Sequence, residues 1–192
     1  ALQNARRVDT IVVAAREEHL VEISRLCKEY GITKCAKVVR GGESRVHSVL
    51  LAALEAGDAE LLAVQDGARP LTTPELIDEV IALAERCGAA APAVAVKDTV
   101  KAVNSDDTVE RTLDRSTLRA VQTPQVFQAD LLKAALQSAL ESGAEITDDC
   151  SAVERLGKTV YLTEGDEANL KITTPTDLIL AEALLRARED GL

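Results

Sequence analysis

An aspartate and an arginine follow a short apolar segment in the stretch LLAVQDGARPLTTPE, residues 61–75. The apolar residues 61–64 predict a buried strand, which places Asp66 and Arg69 at its carboxyl end. A carboxylate there can bind Mg²⁺, which prefers hard oxygen ligands and the company of phosphate. The planar guanidinium of Arg69 can bind a phosphate, and Gly67 lets a ligand approach the backbone closely. From these residues alone, an Asp–Arg pair that only fixes a loop is an equally open interpretation.

Two further segments contain groups that could bind an anion. In VVRGGESRVHSV, residues 38–49, a Gly-Gly turn precedes a predicted helix, whose free backbone N–H groups suit a phosphate or a nucleotide base, with Ser48 as a side-chain donor. The spacing is not that of a P-loop, so a plain tight turn is the alternative. In EANLKITTPTDL, residues 167–178, Lys171 precedes a Thr-Thr-Pro helix start. A solvated surface lysine is the alternative there.

The three segments together supply a metal-binding acid, cations and backbone donors. This set is typical of phosphoryl or nucleotidyl transfer, in which catalysis consists mostly of positioning and charge neutralisation. His19 and His47 are the only histidines, and both fall within predicted helices. No Ser–His–Asp or Cys–His arrangement can therefore be argued.

The composition predicts one domain over residues 1–192. With 46% hydrophobic residues the chain can form a substantial core, and one Phe, two Tyr and no Trp mean that Ala, Val, Leu and Ile must build it. A net charge of −10 makes nucleic acid and anionic membranes poor partners, although a few local cations could still bind a small anion.

The cysteines and the lack of a targeting segment favour a cytoplasmic protein. No CxxC pair or Cys/His cluster occurs, so buried, reduced thiols are the favoured interpretation of the four cysteines. No apolar run approaches the roughly 20 residues that a membrane-spanning helix needs, and no signal peptide is visible.

Strand and helix patterns alternate along most of the chain. The predicted strands are 8–15, 36–39, 61–64, 89–96 and 158–163, and the predicted helices are 17–31, 44–57, 73–88, 129–142 and 175–189, with a short capped helix within 147–157. This alternation predicts an α/β fold with a Rossmann-like, three-layer arrangement and a mostly parallel sheet. Ligands of such sheets usually bind at the carboxyl ends of the strands.

Residues 97–127 interrupt this alternation. Polar and β-branched residues alternate there around the turn-like NSDD, which predicts an antiparallel ribbon. We expect residues 98–122 to form a β-arm that protrudes from the main sheet. An arm with little core of its own usually packs on something else, and a second copy of the chain is the obvious candidate.

Six segments resemble one enzyme family in order and spacing. They are GGESRVHSV, VQDGARPL, APAVAVKDTVK, LRAVQTPQVF, ITDDCSAVE and ANLKITTPTDL. The chain is similar through them to the 2-C-methyl-D-erythritol 4-phosphate cytidylyltransferases of isoprenoid precursor synthesis, from about residue 8 to 185. Six motifs in order are far more specific than any one of them.

The resemblance implies a nucleotidyltransferase fold and a Mg²⁺-dependent reaction. In that family, the phosphate of methylerythritol phosphate attacks the α-phosphate of CTP in line and pyrophosphate is released, and the resemblance implies the same reaction here. By the same resemblance, Asp66 would hold the metal and Lys171 would neutralise charge in the transition state. The CTP site would include Gly41, Gly42, Glu43, Ser48 and Gly67, and the substrate site Arg69, Thr99, Arg115, Thr123 and Thr147. Thr99 and Arg115 would reach from the arm into the partner's site, which implies a homodimer.

The sequence departs from the family pattern at its start. The family opens with a strand and a glycine-rich loop whose basic residues wrap the CTP triphosphate, whereas this sequence opens with ALQNARR, which resembles the end of the family's first helix. Either that segment belongs to the molecule and is missing from this sequence, or the form is truncated and triphosphate binding is impaired. Smaller departures are Gly67, where many relatives have Ala, and Glu43, where some have Asp.

Two other functions stay open at this point. Ribitol-5-phosphate cytidylyltransferases share the fold and several motifs, but Ala68 resembles the methylerythritol enzymes, since the ribitol enzymes tend to have a bulkier residue there. The second alternative is a non-catalytic, nucleotide-binding dimer, which a truly truncated start would favour.

Overall fold

A computed structural model describes residues 1–190 of the chain. Its strands are β1 (Ile11–Ala15), β2 (Cys35–Arg40), β3 (Leu61–Val64), β4 (Ala89–Ala95), β5 (Lys101–Val103), β6 (Val109–Thr112), β7 (Arg119–Val121), β8 (Gln125–Gln128) and β9 (Tyr161–Glu164). Its α-helices are α1 (Leu20–Glu29), α2 (Arg45–Leu54), α3 (Pro74–Cys87), α4 (Ala129–Ser142), α5 (Asp149–Arg155) and α6 (Pro175–Glu189). The predicted alternation of strands and helices is confirmed outside residues 97–127.

The prediction of a mostly parallel sheet is wrong for the larger sheet. Five strands form it, in the order β3-β8-β4-β7 with β9 paired to β4. Strand β8 runs antiparallel to both β3 and β4, and β7 runs antiparallel to β4. Only the pairing of β4 with β9 is parallel in this sheet, and β1 pairs in parallel with β2 as a separate two-stranded sheet. The reason is that no crossover helix lies between β4 and β8, so the chain returns in the opposite direction.

Helices cover both faces of the larger sheet. Ala89, Ala91 and Phe127 pack in one apolar cluster with α2, α4 and α5, whereas Ala90 and Val126 pack in a second cluster with α3. Neighbouring residues of a strand point to opposite faces, so each buried strand contributes to both clusters. The three-layer arrangement is therefore observed, with small aliphatic residues forming most of the core.

Capping residues set the helix ends that the sequence predicts. Thr73 accepts a hydrogen bond from the backbone N–H of Leu76 at 3.2 Å, Pro74 is the first residue of α3, and Gly88 ends the helix with a φ of 85°. That positive φ explains the glycine, because other residues adopt it at a cost. Thr174 caps α6 in the same way, with Asp177 completing a capping box.

The segment between β4 and β8 contains an antiparallel ribbon, as predicted. Strands β5 and β6 form a separate two-stranded sheet in which Lys101 lies opposite Thr112. Every residue of β6 is exposed. Among the helices of residues 1–190, none combines the length and apolar character that crossing a bilayer requires.

Candidate functional site

Asp66 lies just beyond β3 and contacts groups from three distant parts of the chain. Its Oδ2 is 2.8 Å from Lys171 Nζ, and its Oδ1 is 3.4 Å from Arg45 Nη2. Its backbone N–H donates to the hydroxyl of Thr123 at 3.1 Å. The Asp66 side chain is 15% exposed, so it is sheltered and still reachable. The structure therefore brings together Asp66 and Lys171, the two residues that the resemblance names as metal holder and charge neutraliser.

The loop that contains Lys171 is joined to the loop that contains Arg69. Asn169 is fully buried, and its Nδ2 donates to the carbonyl of Thr123 at 2.9 Å. Arg69 Nη1 donates to the carbonyl of Asn169 at 2.6 Å, and the N–H of Ile172 donates to the carbonyl of Ala68 at 2.8 Å. These bonds hold Lys171 beside Asp66 although its own side chain is 44% exposed.

The Gly-Gly turn follows β2 and leads into α2. The backbone N–H of Gly42 donates to the Ser48 hydroxyl at 3.0 Å, and that hydroxyl donates to the carbonyl of Ser44 at 2.8 Å. A Cβ on Gly42 would lie 2.3 Å from His47 Cγ, and one on Gly41 would lie 2.9 Å from Ser48 Oγ. Gly42 is thus required by close packing against His47, whereas a Cβ on Gly41 would displace only the Ser48 hydroxyl. That hydroxyl bonds Gly42 and Ser44 and stabilises the turn.

Arg45, the first residue of α2, connects this turn to Asp66. Its Nη1 and Nη2 donate to the two oxygens of Asp149, at 3.0 and 2.7 Å. The Asp149 side chain has no exposed surface, and the backbone N–H of Asp149 donates to Gln125 Oε1 at 3.0 Å. The turn, Asp66 and the start of α5 are therefore linked by one guanidinium.

The cations around Asp66 favour its ionised form. Burial alone would raise the pKa of Asp66, but Lys171 and Arg45 outweigh it and hold the pKa below its ordinary value. Burial also opposes charge on Arg45, yet Asp149 and Asp66 raise its pKa. Burial raises the pKa of Asp149 even beside Arg45. Burial lowers the pKa of Arg69, whose Nε is buried without a hydrogen-bond partner.

The other predicted site residues differ in how exposed they are and in whether their side chains already form hydrogen bonds. Thr123 is 3% exposed and bonds the Asp66 backbone, so its hydroxyl is already engaged. Thr147 comes directly before Asp148, the cap of α5, and Glu43 is exposed in the Gly-Gly turn. Nothing lies within 4 Å of the position that a Cβ on Gly67 would take.

Thr99 and Arg115 are not brought to this group of residues. Both are exposed, and Arg115 donates to the carbonyl of Lys97. Within residues 1–190, no hydrogen bond or ion pair joins either side chain to Asp66, Lys171 or the Gly-Gly turn. Their expected role, in the site of a second subunit, stays a prediction.

Sequence reasoning did not single out Arg45, Asp149 or Asn169. Arg45 stands inside the quoted segment GGESRVHSV, and Asp149 is the second acid of ITDDCSAVE. An arginine beside a glycine turn and a paired acid were therefore visible signals. The hydrogen bonds between Arg45 and Asp149 could not be predicted from the sequence, because 104 positions separate the two residues.

The residues around Asp66 fit a Mg²⁺ ion that is shared with substrate phosphates. Within the described chain, no cluster of three or more His, Cys, Asp or Glu residues could hold a metal by itself. Mg²⁺ is usually bound through one or two carboxylates together with phosphate oxygens and water. Asp66 offers one partly accessible carboxylate, and the adjacent, 44% exposed Lys171 suits an anionic ligand.

Comparison with solved structures places the fold in a known class. The chain superposes on the 2-C-methyl-D-erythritol 4-phosphate cytidylyltransferase of Thermus thermophilus with a TM-score of 0.77 at 35% identity, covering 94% of this chain and 84% of that one. It superposes on 4-diphosphocytidyl-2C-methyl-D-erythritol synthase of Anaerococcus prevotii with a TM-score of 0.87 at 29% identity, covering 96% and 82%. The fold is that of a mixed α/β nucleotidyltransferase.

Sequence comparison narrows the class to one family. The family model of 2-C-methyl-D-erythritol 4-phosphate cytidylyltransferase (IspD) matches residues 1–187. A relative of that name from Bacillus cytotoxicus is 43% identical over 188 residues, which are 98% of this chain and 83% of the relative. One from Rubrobacter xylanophilus is 44% identical, covering 98% and 81%. The chain belongs to the 2-C-methyl-D-erythritol 4-phosphate cytidylyltransferase family.

Proposed function

We infer that the chain transfers the cytidylyl group of CTP to 2-C-methyl-D-erythritol 4-phosphate. A phosphate oxygen of the polyol forms a bond to the α-phosphorus of CTP, the bond from that phosphorus to the bridging oxygen breaks, and pyrophosphate leaves. The observation that carries this inference is the grouping of Asp66, Lys171 and the Gly-Gly turn in a chain of this family. The chemistry needs positioning and charge neutralisation more than covalent catalysis.

The side chains around Asp66 have separable roles in this reaction. The Lys171 ammonium, 2.8 Å from Asp66, can neutralise charge that grows on the phosphates. The Gly-Gly turn, with Gly41, Gly42, Glu43 and Ser48, would hold the cytidine, and Gly67 leaves room for the nucleotide next to Asp66. Arg69 would bind the polyol phosphate through its terminal nitrogens, since its Nε is buried and Nη1 also donates to the carbonyl of Asn169.

Asp66 would hold the Mg²⁺ that this family's reaction implies. When bound, the ion would neutralise phosphate charge and orient the triphosphate. Lys171 and Arg45 contact the same carboxylate and keep it ionised, which supports this role.

The remaining parts of the proposal concern assembly and location. Residues 98–122 would be a dimerisation arm, through which Thr99 and Arg115 reach the substrate site of the partner. Thr123 and Thr147 would help to hold the substrate. Exposed apolar residues of the ribbon support a dimer interface there, since Val103 and Val109 lie opposite each other and are 56% and 57% exposed.

We propose that the enzyme is cytoplasmic, consists of one nucleotidyltransferase domain and does not bind nucleic acid.

The acceptor is tested by pyrophosphate release from CTP and Mg²⁺ with methylerythritol phosphate or ribitol 5-phosphate. We expect release with methylerythritol phosphate alone. Release only with ribitol phosphate would keep the chemistry and change the acceptor. CTP binding without release would favour the non-catalytic dimer. The protein assayed should span the full length of its relatives.

The role of Asp66 is tested by Asp66→Asn, which keeps the size and removes the charge. We expect turnover to fall by more than about 100-fold, because the metal and Lys171 both lose their partner. Asp58→Asn, at an exposed position, is the matched control. Unchanged turnover in Asp66→Asn would contradict the proposal.

A further inference from the structure

Arg45 contacts two carboxylates, and it is bound more closely to one of them. Both of its terminal nitrogens donate to Asp149, at 3.0 and 2.7 Å, which is a two-bond arrangement. Only Nη2 reaches Asp66, at 3.4 Å from Oδ1. The guanidinium of Arg45 therefore forms two short hydrogen bonds to Asp149 and only one long hydrogen bond to Asp66.

Asp149 is fixed independently of Arg45. It is the first residue of α5, and its N–H and that of Cys150 both donate to Gln125 Oε1 at 3.0 Å. Gln125 lies on β8, opposite Val64 of β3. The backbone at Asp149 is therefore anchored to the strand next to β3, and the buried side chain has little room to follow a movement of the guanidinium.

We propose that Asp149 is a positioning residue for the reaction: it binds the Arg45 guanidinium with two hydrogen bonds, keeps that cation from closing on Asp66, and so leaves the Asp66 carboxylate available to a divalent cation. The inference rests on the proposed function in one respect, namely that Asp66 holds the metal. It assigns a role to two residues, Arg45 and Asp149, that the expected site did not contain.

The charges around Asp66 explain why such a restraint is needed. Lys171 already contacts Oδ2 at 2.8 Å, and Arg45 stands 3.4 Å from Oδ1. A guanidinium that is 34% exposed and has lost Asp149 would have Asp66 as its nearest remaining carboxylate. The present 3.4 Å contact of Arg45 with Oδ1 would then shorten to a full ion pair, and a divalent ion would have to displace either that guanidinium or Lys171 from Asp66.

The test compares Asp149→Asn with the double variant Asp149→Asn/Arg45→Gln. In Asp149→Asn we expect the Mg²⁺ concentration for half-maximal activity to rise about tenfold, because a charged contact moves onto Asp66. The double variant has no guanidinium to compete, so its half-saturating metal concentration should return to within about twofold of wild type.

A measurement that needs no turnover accompanies the kinetics. Binding of Mn²⁺–CTP, followed by water proton relaxation, should weaken in Asp149→Asn and recover in the double variant. If the wild-type protein releases no pyrophosphate, the proposed function fails, while the Mn²⁺–CTP measurement still tests Asp149.

Folding is monitored by circular dichroism and thermal melting. Glu85→Gln breaks the ion pair of Arg7 and Glu85, 2.7 Å apart and away from the site, and serves as the control, with unchanged metal dependence. Unchanged metal dependence in Asp149→Asn would overturn the proposal. So would a double variant that binds metal as weakly as Asp149→Asn, since that result indicates a purely structural role. If Asp149→Asn does not fold, the double variant decides alone: near-wild-type metal binding supports the proposal and weak binding overturns it.

Discussion

Lys171 and Asp66 meet because buried polar residues hold their loops together. Asn169 is bonded to Thr123 and its carbonyl accepts from Arg69, while the hydroxyl of Thr123 accepts from the backbone of Asp66. Buried polar groups usually have such partners, since an unpaired one is costly. The loop bonds thus place an exposed lysine at a fixed distance from a sheltered acid.

At the residue scale, we predict that Lys171→Gln lowers kcat about 100- to 1,000-fold. The glutamine keeps most of the length but has no charge to stabilise the phosphates in the transition state. The KM for CTP should change less than kcat, because the loss falls mainly on the transition state. Steady-state pyrophosphate release measures both, with Lys158→Gln at another exposed position as the control. A rise in KM at unchanged kcat would assign Lys171 to ground-state binding.

At the scale of elements, the start of α6 fixes the end of the Lys171 loop. Asp177 Oδ2 accepts from the backbone N–H groups of Thr173 and Thr174, at 2.9 and 2.7 Å. These bonds lower the pKa of Asp177 to about 2. The capping box therefore depends on an ionised carboxylate two residues after the Thr-Pro pair.

The pH dependence of this cap gives a second prediction. The folded-state pKa of Asp177, about 2, lies below its ordinary value of 3.8, so its contribution to stability is present above about pH 3.8 and is lost as the pH falls through about 2. Asp177→Asn should therefore melt a few degrees lower than wild type at pH 7, and the difference should close near pH 2. Thermal melts at several pH values measure it. A difference that does not depend on pH would contradict an ionic cap.

At the scale of the whole molecule, the β5–β6 ribbon has little core of its own. Val103 and Val109 form an exposed apolar pair on a two-stranded sheet, which is marginally stable alone in water. A second copy of the chain that covers this pair would stabilise the ribbon.

We predict that Val103→Asp/Val109→Asp shifts the protein from dimer to monomer in light scattering. Burying two carboxylates at an interface is costly unless they are paired. Val21→Asp is the matched control, because Val21 is 83% exposed on α1, outside the ribbon. A dimer that survives the ribbon substitutions would exclude the ribbon as the interface, and a monomeric wild type would contradict the homodimer.

A mixing experiment tests whether the two subunits share a site. Asp66→Asn and Arg115→Gln should each be nearly inactive. An equimolar mixture should regain up to about a quarter of wild-type activity, because about half of its dimers are mixed and one of the two sites in each mixed dimer contains both native residues. Pyrophosphate release after co-refolding measures the recovery. No recovery, although mixed dimers form, would place Arg115 outside the partner's site.

The sequence by itself determined the local features and the family. The caps Thr73 and Gly88 of α3, the Thr-Pro start of α6, and the segments with Asp66 and Lys171 follow from neighbouring residues, whose preferences are local. Tertiary structure alone decided that β8 runs antiparallel to β3 and β4, that Arg45 pairs with Asp149, and that Asn169 donates to the carbonyl of Thr123. Those contacts join residues far apart in the chain, so they depend on strand order and direction, which local patterns do not encode.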